Sequence, residues 1–317
     1  MKIGIYGYGN LGRAAEVLAS DFDMDVACVF TRRDPDSVRT LRAPVYERAR
    51  VGDFSDEIDC MLLCGSSHSD ITNDALELSK DFNTVDAFDI HSEIPKHKEK
   101  LDEAAKASGH VSIVSTGWDP GLLSVFRTYF SAIMPRGEVN TFWGRGVSQG
   151  HSAVIRRIKG VRRAVEYTVP LPDAMALARV GRSVDKFKRH ERICYVVANE
   201  EDYDRIEREI KSIPEYYAGY NVTVHFISQD EFVRSHVSMP HRGECIAFGM
   251  SGFYREHINR AELSISMDSN PEFTASVMLA YAKVCDKLCS EKHFGAYDVL
   301  DVPMRYLLSR KNGGQLL

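Results

Sequence analysis

The sequence has 317 residues, of which 44% are hydrophobic and 27% are charged, and its formal net charge is −5; this composition excludes disordered and fibrous proteins. The acidic balance disfavours nucleic acid as a partner, and no apolar run approaches the ~18 residues that a membrane span requires. The N-terminal segment MKIGIYGYGN reaches its glycines before a signal-peptide core could form, so we expect a soluble cytoplasmic protein.

Short β-rich runs alternate with helical patterns over the first third of the chain. Strands are predicted at residues 2–6, 25–30, 59–64, 83–87 and 111–115, and helices at residues 10–20, 71–81 and 94–109. Such alternation is typical of a parallel, doubly wound sheet with right-handed crossovers. We therefore predict an α/β fold of the Rossmann type, with a dinucleotide-binding domain over residues 1–120.

The pattern changes after about Pro120. Alternating apolar and polar residues predict strands at 139–143, 164–170, 192–198, 221–227, 244–250 and 258–267, together with a helix at 202–212. Strands with one solvated face belong mostly to antiparallel sheets, so residues 121–269 are predicted to form an inserted α+β domain with a mostly antiparallel sheet. A helical pattern at residues 271–290 predicts that the segment 270–317 returns to the first domain.

A glycine-rich segment follows the first predicted strand and opens the first predicted helix. Its residues are Gly7, Tyr8, Gly9, Asn10, Leu11 and Gly12. In the G-x-G-x-x-G pattern the first glycine permits a tight turn, the second lets a pyrophosphate approach the backbone, and the third allows close packing of helix and strand. The position of the segment between strand and helix therefore predicts dinucleotide binding; the alternative is a glycine-rich turn without a ligand.

The residues after the second predicted strand indicate which dinucleotide is bound. An NAD site usually has an acidic residue here to accept the ribose 2′-hydroxyl. This chain has Thr31, Arg32 and Arg33 instead, and guanidinium groups are suited to a 2′-phosphate. We therefore predict NADP as the cofactor, the alternative being two solvated arginines.

A short polar segment follows the third predicted strand of the sheet. It consists of Cys64, Gly65, Ser66 and Ser67. Ligands of doubly wound sheets bind at the carboxyl ends of the strands. We therefore expect this segment to line the ribose and nicotinamide of the cofactor.

Two carboxylates also follow predicted strands, Asp89 in TVDAFDIH and Asp119 in STGWDPG. A substrate ammonium must be held and must lose a proton before its carbon can release hydride, and carboxylates can do both. The pair therefore favours the oxidation of an amine. The alternatives are a helix N-cap for Asp89 and a turn former for Asp119.

Seven cysteines are scattered along the chain without a CxxC pair or a zinc-type spacing. Most lie in apolar runs, where a thiol behaves as a small hydrophobic group. We expect buried, reduced thiols and no metal site.

Several long motifs together resemble those of the meso-diaminopimelate D-dehydrogenase family, an NADP-dependent family of lysine biosynthesis. The motifs span residues 4 to 308 and read GYGNLGR, TRR, TVDxxDxHxxIP, STGWDPG, TFWGxGxSQGHS, EYT, MPHxG and DxNPxFTAS. The resemblance implies reversible oxidative deamination of the D-centre of meso-2,6-diaminopimelate, with L-2-amino-6-oxopimelate, ammonia and NADPH as products. It also implies a homodimer, with the second domain serving substrate binding and dimerisation.

The resemblance assigns Asp89 and Asp119 to the reacting D-amino centre. It assigns two groups of further residues to the substrate: Trp118, Trp143, Ser148, Gln149 and Gly150 at the D-end, and Thr168, Arg192, His241 and Asn270 at the L-end. On the residues alone, Trp143 could be a core residue and Asn270 a helix N-cap. Ala153 and Arg242 depart from the residues expected in the family.

Two other functions remain open at this point. One is a different reductase on the same scaffold, such as an enzyme resembling dihydrodipicolinate reductase. The other is a non-catalytic NADP sensor, which would keep the glycine-rich segment without needing both Asp89 and Asp119. A semialdehyde dehydrogenase is disfavoured because no cysteine lies in an exposed strand-to-helix turn.

Overall fold

The computed structural model describes residues 1–236 and 238–308. The strands are β1 (Lys2–Tyr6), β2 (Asp25–Thr31), β3 (Val45–Glu47), β4 (Cys60–Leu63), β5 (Thr84–Asp86), β6 (Val111–Val114), β7 (Glu138–Trp143), β8 (Gly146–Val147), β9 (Arg163–Pro170), β10 (His190–Val197), β11 (Asn221–Phe226), β12 (His241–Ser251), β13 (His257–Met267) and β14 (Gly295–Asp298). The α-helices are α1 (Asn10–Leu18), α2 (Thr72–Asp81), α3 (Ile94–Ser108), α4 (Leu122–Ile133), α5 (Gln149–Ile155), α6 (Pro172–Arg179), α7 (Tyr203–Ser212), α8 (Gln229–Ser235) and α9 (Asn270–Ser290). None of the helices in these two ranges is long and apolar enough to cross a bilayer.

The first compact unit comprises Met1–Val125 and the described residues from Pro271 onward. Its seven strands are parallel and lie in the order β14-β6-β5-β4-β1-β2-β3. The strand order reverses between β1 and β4, the position at which doubly wound sheets bind ligands. Strands such as β4 are buried along their whole length because helices cover both faces of the sheet. The Rossmann-type prediction is confirmed.

Two strands of this sheet were not predicted from the sequence. The edge strand β3 has only three residues, and β14 follows α9 and pairs with β6. Neither segment has the apolar run that identifies the central strands, because an edge strand and a short return strand bury little side-chain surface. Their place in the sheet depends on backbone pairing instead.

The second unit is Phe126–Asn270 and contains two sheets where the sequence indicated one. The first has the order β11-β10-β9-β8, and the second has the order β13-β12-β7. Every pairing is antiparallel except β10 with β11, so the mostly antiparallel character is confirmed. The alternation of apolar residues reveals which face of a strand is buried but not which strand is its neighbour, which explains the error in the number of sheets.

One face of the four-stranded sheet packs against α5 and α7. Its core includes Ile155 of α5, Ile206 and Ile210 of α7, and Cys194 and Val196 of β10. Since side chains on a strand alternate between the two faces, the residue two positions before Cys194 lies on this same covered face. That residue is Arg192.

Candidate functional site

The glycine-rich segment forms a turn between β1 and α1. Gly7 has a φ of +97°, which favours glycine, and its N–H donates to the carbonyl of Phe30 in β2 at 2.9 Å. A Cβ on Gly12 would lie 2.2 Å from the carbonyl oxygen of Gly7, whereas a Cβ on Gly9 would meet nothing within 4 Å. Gly9 is therefore the position at which a ligand can approach the start of α1, where free backbone N–H groups favour phosphate.

The other predicted residues of this segment have structural partners. Leu11 packs against the core, and Asn10 begins α1. The hydroxyl of Tyr8 donates to Glu16, whose carboxylate also accepts the N–H groups of the segment that follows β2. Tyr8 thus connects the glycine-rich turn to the segment after β2 through Glu16, and its hydroxyl proton is engaged in this hydrogen bond.

The basic residues after β2 lie near the glycine turn. The backbone N–H of Arg33 donates to Thr31 Oγ1 at 3.1 Å, and its Nη2 donates to the carbonyl of Tyr8 at 2.5 Å. Arg32 is 63% exposed and pairs with Asp70, its Nη1 lying 3.0 Å from Oδ1. The chain has no acidic residue at the end of β2, where an NAD site usually has one, and two guanidinium groups follow this strand instead.

Asp70 was missed by the sequence reasoning. Burial raises the pKa of this carboxyl, but the N–H of Ser66 and the guanidinium groups of Arg48 and Arg32 outweigh burial and lower it. A Cβ on Gly65 would lie 2.3 Å from Cβ of Asp70, so a glycine is needed beside it. Asp70 therefore connects the segment after β4 to Arg32.

The segment after β4 also contacts the loop that carries Asp89. The backbone N–H of Asp89 donates to Ser67 Oγ at 3.1 Å. Cys64 is buried, and burial raises the pKa of its thiol to about 12. This thiol is therefore not a nucleophile, which further disfavours semialdehyde chemistry.

Asp89 and Asp119 follow neighbouring strands, since β5 and β6 are paired. They lie in the loops at the carboxyl ends of these strands, the same edge that carries the glycine turn after β1. Asp89 is exposed and Asp119 is half-buried. The structure thus brings both acids to the edge of the sheet that carries the phosphate-binding turn.

A second carboxylate in the TVDAFD motif, Asp86, was also missed. It is 2% exposed, and its Oδ1 accepts the N–H groups of Phe88 at 2.9 Å and Ser115 at 2.8 Å. Its backbone carbonyl accepts the N–H of Thr116 at 2.8 Å, and its Oδ2 lies 2.9 Å from His97 Nε2. Asp86 therefore joins the two loops that carry the predicted acids.

Three residues assigned to the L-carboxylate come together in the second unit. Thr168 of β9 lies opposite Arg192 of β10, and Arg192 Nη1 donates to Thr168 Oγ1. Gly146 of β8 lies on the other side of Thr168 in the sheet, and a Cβ on Gly146 would be 2.5 Å from Cγ of His241. All three side chains are buried, so they form a polar cluster that includes a cation, suited to a carboxylate.

Glu166 was missed as a member of this cluster. It is fully buried, two residues before Thr168 on the same strand face, and its Oε1 accepts the Thr168 hydroxyl at 3.0 Å. Burial raises the pKa of its carboxyl to about 7, although Arg192, 3.6 Å away, lowers it. A glutamate in the otherwise uncharged segment AVEYTV was the signal in the sequence.

The remaining predicted substrate residues are more dispersed. Trp143 ends β7, and its backbone N–H donates to His190 Nε2 at 2.8 Å. Ser148 caps α5, with its Oγ 2.5 Å from His151 Nδ1. Three others have the following positions: Trp118 is buried in the first unit, Gly150 is exposed on α5, and Asn270 begins α9. The side chain of Gln149 lies outside the described part of the structure.

Comparisons with known proteins agree with the sequence motifs. A family model described as the diaminopimelic acid dehydrogenase C-terminal domain matches residues 117–269. The meso-diaminopimelate D-dehydrogenase of Acetivibrio thermocellus is 44% identical over 97% of this chain and 94% of its own, and that of Corynebacterium glutamicum is 40% identical over 100% and 98%. The chain belongs to the meso-diaminopimelate D-dehydrogenase family.

Solved structures place the whole chain in the same family. The C. glutamicum diaminopimelate dehydrogenase in complex with DAP has a TM-score of 0.94 at 38% identity, covering 100% of this chain and 99% of that one. An engineered D-amino acid dehydrogenase bound to NADP+ has a TM-score of 0.90 at 36% identity, with the same coverage. The resemblance inferred from the motifs is confirmed, and this member of the meso-diaminopimelate D-dehydrogenase family is an oxidoreductase.

Proposed function

We propose that the chain oxidises the D-centre of meso-2,6-diaminopimelate reversibly, with NADP as the hydride acceptor, and releases L-2-amino-6-oxopimelate and ammonia. The observation that carries this proposal is that Asp89 and Asp119 lie in loops at the sheet edge that also carries the glycine turn, with the Asp89 amide bonded to Ser67. The buried cluster of Thr168, Arg192 and His241, in a chain of this family, supports the second requirement, a binding site for the distal carboxylate.

The two acids act on the reacting amino group. Asp89 binds the substrate ammonium and accepts its proton, and Asp119 orients the amine and stabilises the positive charge that develops. The carbon then releases hydride, and water converts the resulting imine to the ketone and ammonia. Trp118 and Trp143 exclude bulk water from this centre, while Ser148, Gln149 and Gly150 bind its carboxylate.

The distal end of the substrate is an L-amino acid. Arg192 donates two parallel hydrogen bonds to its carboxylate, and Thr168 and His241 complete the site. Asn270 binds the same end. Because both ends of the substrate have identical groups, binding one of them firmly determines which carbon faces oxidation.

The cofactor fits the first unit. The N–H groups at the start of α1 bind its pyrophosphate, which can approach them because Gly9 has no side chain and faces open space. Thr31, Arg32 and Arg33 bind the 2′-phosphate. When bound, NADP supplies the hydride-accepting ring, and the segment after β4 lines its ribose.

The decisive experiment measures NADPH formation with the meso, LL and DD isomers of diaminopimelate. We expect rapid turnover of the meso isomer, none with the LL isomer, which lacks a D-centre, and slow turnover of the DD isomer, which lacks an L-end. Equal rates with all three would contradict the proposal. NADP binding without any turnover would instead favour a sensor.

Replacing Arg32 by alanine tests the choice of cofactor. We expect the KM for NADP to rise about tenfold or more while activity with NAD stays unchanged, because only NADP presents a 2′-phosphate to this side chain. The measurement is the KM of both cofactors. Arg50→Ala is the control, since Arg50 is an exposed arginine paired with Asp53. Equal losses with NADP and NAD would remove Arg32 from the phosphate site.

Replacing Asp86 by alanine tests whether it positions the two acids. The change leaves two buried N–H groups without an acceptor, so we expect kcat to fall by about 10²-fold through misplacement of the acids. The KM for NADP should change little. Thr84→Ala is the matched control, since it removes a buried bond between the same strands, to Ser112, at their other end. It should lower the melting temperature with kcat intact; equal kcat in both variants would contradict the positioning role.

Assembly and location are also part of the proposal. The protein forms a homodimer, which is supported by the exposed face of β13, including Ile258 at 67% exposure, and by two apolar residues just before this strand, Phe253 at 86% and Tyr254 at 83%. It resides in the cytoplasm, supported by seven free cysteines, six of them buried. Light scattering of the purified protein tests the first of these statements.

A further inference from the structure

Glu166 contacts two members of the polar cluster formed by Thr168, Arg192 and His241. In the paired strands, Glu166 lies opposite Cys194, and Thr168 lies opposite Arg192, so the four side chains share one covered face. The carboxylate of Glu166 is fully buried. Its oxygens accept the Thr168 hydroxyl, and the guanidinium of Arg192 lies 3.6 Å away and over the ring of Tyr220. Glu166 and Arg192 thus form a balanced buried ion pair.

A substrate carboxylate on Arg192 would upset this balance. Two anions would then share one guanidinium in a site that excludes water, and buried like charges of this kind raise each other's affinity for protons. One proton on Glu166 restores neutrality. Since burial already raises the pKa of Glu166 to about 7, little additional free energy is needed for it to take up this proton near neutral pH.

The hydroxyl of Thr168 leads to the same conclusion. A hydroxyl has one proton to donate and can accept two hydrogen bonds. In the structure Thr168 accepts from Arg192 and donates to Glu166, so it has no proton left for a substrate. Once Glu166 is protonated, its own O–H can donate to Thr168, and the Thr168 proton becomes available to the substrate carboxylate.

We propose that Glu166 is a positioning residue that aligns Arg192 and Thr168 in the free enzyme and takes up one proton from solvent when the distal substrate carboxylate binds. The inference rests on the proposed function, because it assumes that this cluster receives that carboxylate. Its consequence is that binding is linked to pH through Glu166: affinity is constant below the pKa of the free enzyme and weakens above it, by about tenfold per pH unit.

Four groups near Glu166 do not titrate in the same range. Burial lowers the pKa of His151 in α5 and of His190 in β10 to about 3, so both stay neutral. Burial raises the pKa of Cys194 and of Tyr217 far above neutrality. His241 is the histidine of the polar cluster itself. Any contribution that it makes to the pH dependence of binding would persist when Glu166 is replaced.

Calorimetry on the wild-type enzyme tests the proton uptake directly. Meso-diaminopimelate is titrated at pH 8 into the enzyme saturated with NADPH, in buffers of different ionisation enthalpy. The complex does not react, because the reduced cofactor cannot accept a hydride from the substrate. We expect uptake of more than about half a proton per site, because the free carboxyl is mostly ionised at this pH and the bound one is protonated. No uptake, while the enzyme still forms NADPH from meso-diaminopimelate and NADP, would overturn this inference alone. Loss of that turnover would overturn the proposed function as well.

Glu166→Gln separates proton linkage from a merely structural role. The amide donates to Thr168 as a protonated glutamate would, so we expect no proton uptake and less than about a twofold change in affinity from pH 7 to pH 9. At pH 9 the variant should bind the substrate more tightly than the wild-type enzyme. Glu244→Gln, at a glutamate paired with Arg179 in the same unit, should keep the wild-type pH dependence. Binding by Glu166→Gln that is weaker by the same factor at every pH, or that keeps the wild-type pH dependence, would overturn the proposal.

Discussion

Replacing Asp119 by asparagine is expected to lower kcat by about 10²–10⁴-fold, the range typical of losing a group that assists proton transfer or stabilises the charge at a reacting centre. Asparagine keeps the size of the side chain and removes its charge. The KM for NADP should change little, because the cofactor contacts lie after β1, β2 and β4. Steady-state kinetics with both substrates varied gives the two constants separately.

Asp89→Asn is expected to lower kcat by a similar factor, because the proposal gives both carboxylates a part in the same proton transfer. The double variant should be little worse than either single one, since groups that act on one proton transfer are not additive. Asp53→Asn, at an exposed carboxylate of the same unit, is the control. A kcat within about twofold of wild type in either single variant would remove that residue from the reaction.

The sequence predicted those parts of the fold whose residues carry a local signal. The glycine turn after β1 was predictable because Gly7 and Gly12 are needed by the backbone itself. The central strands were predictable because burial on both faces requires apolar runs. The division of the second unit into two sheets was not, since pairing between β12 and β7 is a long-range contact that leaves no pattern in either strand.

The same distinction applies to the candidate site. Residues assigned by the resemblance, such as Arg192, had no local signal of their own and stood in the basic run KRHERIC. Asp86 and Glu166 were missed because each acts through neighbours that only the folded chain brings near: two loops in one case, an arginine on the adjacent strand in the other. Both occupy buried strand positions, where an unpaired charge is costly. An acidic residue in an apolar strand is therefore the signal that could have found them.

Arg192→Lys is expected to raise the KM for meso-diaminopimelate by about ten- to a hundredfold while kcat changes much less. Lysine keeps the charge but loses the paired donors that hold a carboxylate in one orientation, a loss of about 1.5–3 kcal/mol. A small D-amino acid without a distal carboxylate is the sharpest control, since its kinetics should not change if Arg192 binds only that group. Arg179→Lys controls for replacing a guanidinium that pairs with glutamates elsewhere in the unit. An unchanged KM, or an equal effect on both substrates, would exclude Arg192 from the distal carboxylate site. Its function would then be limited to pairing with Glu166.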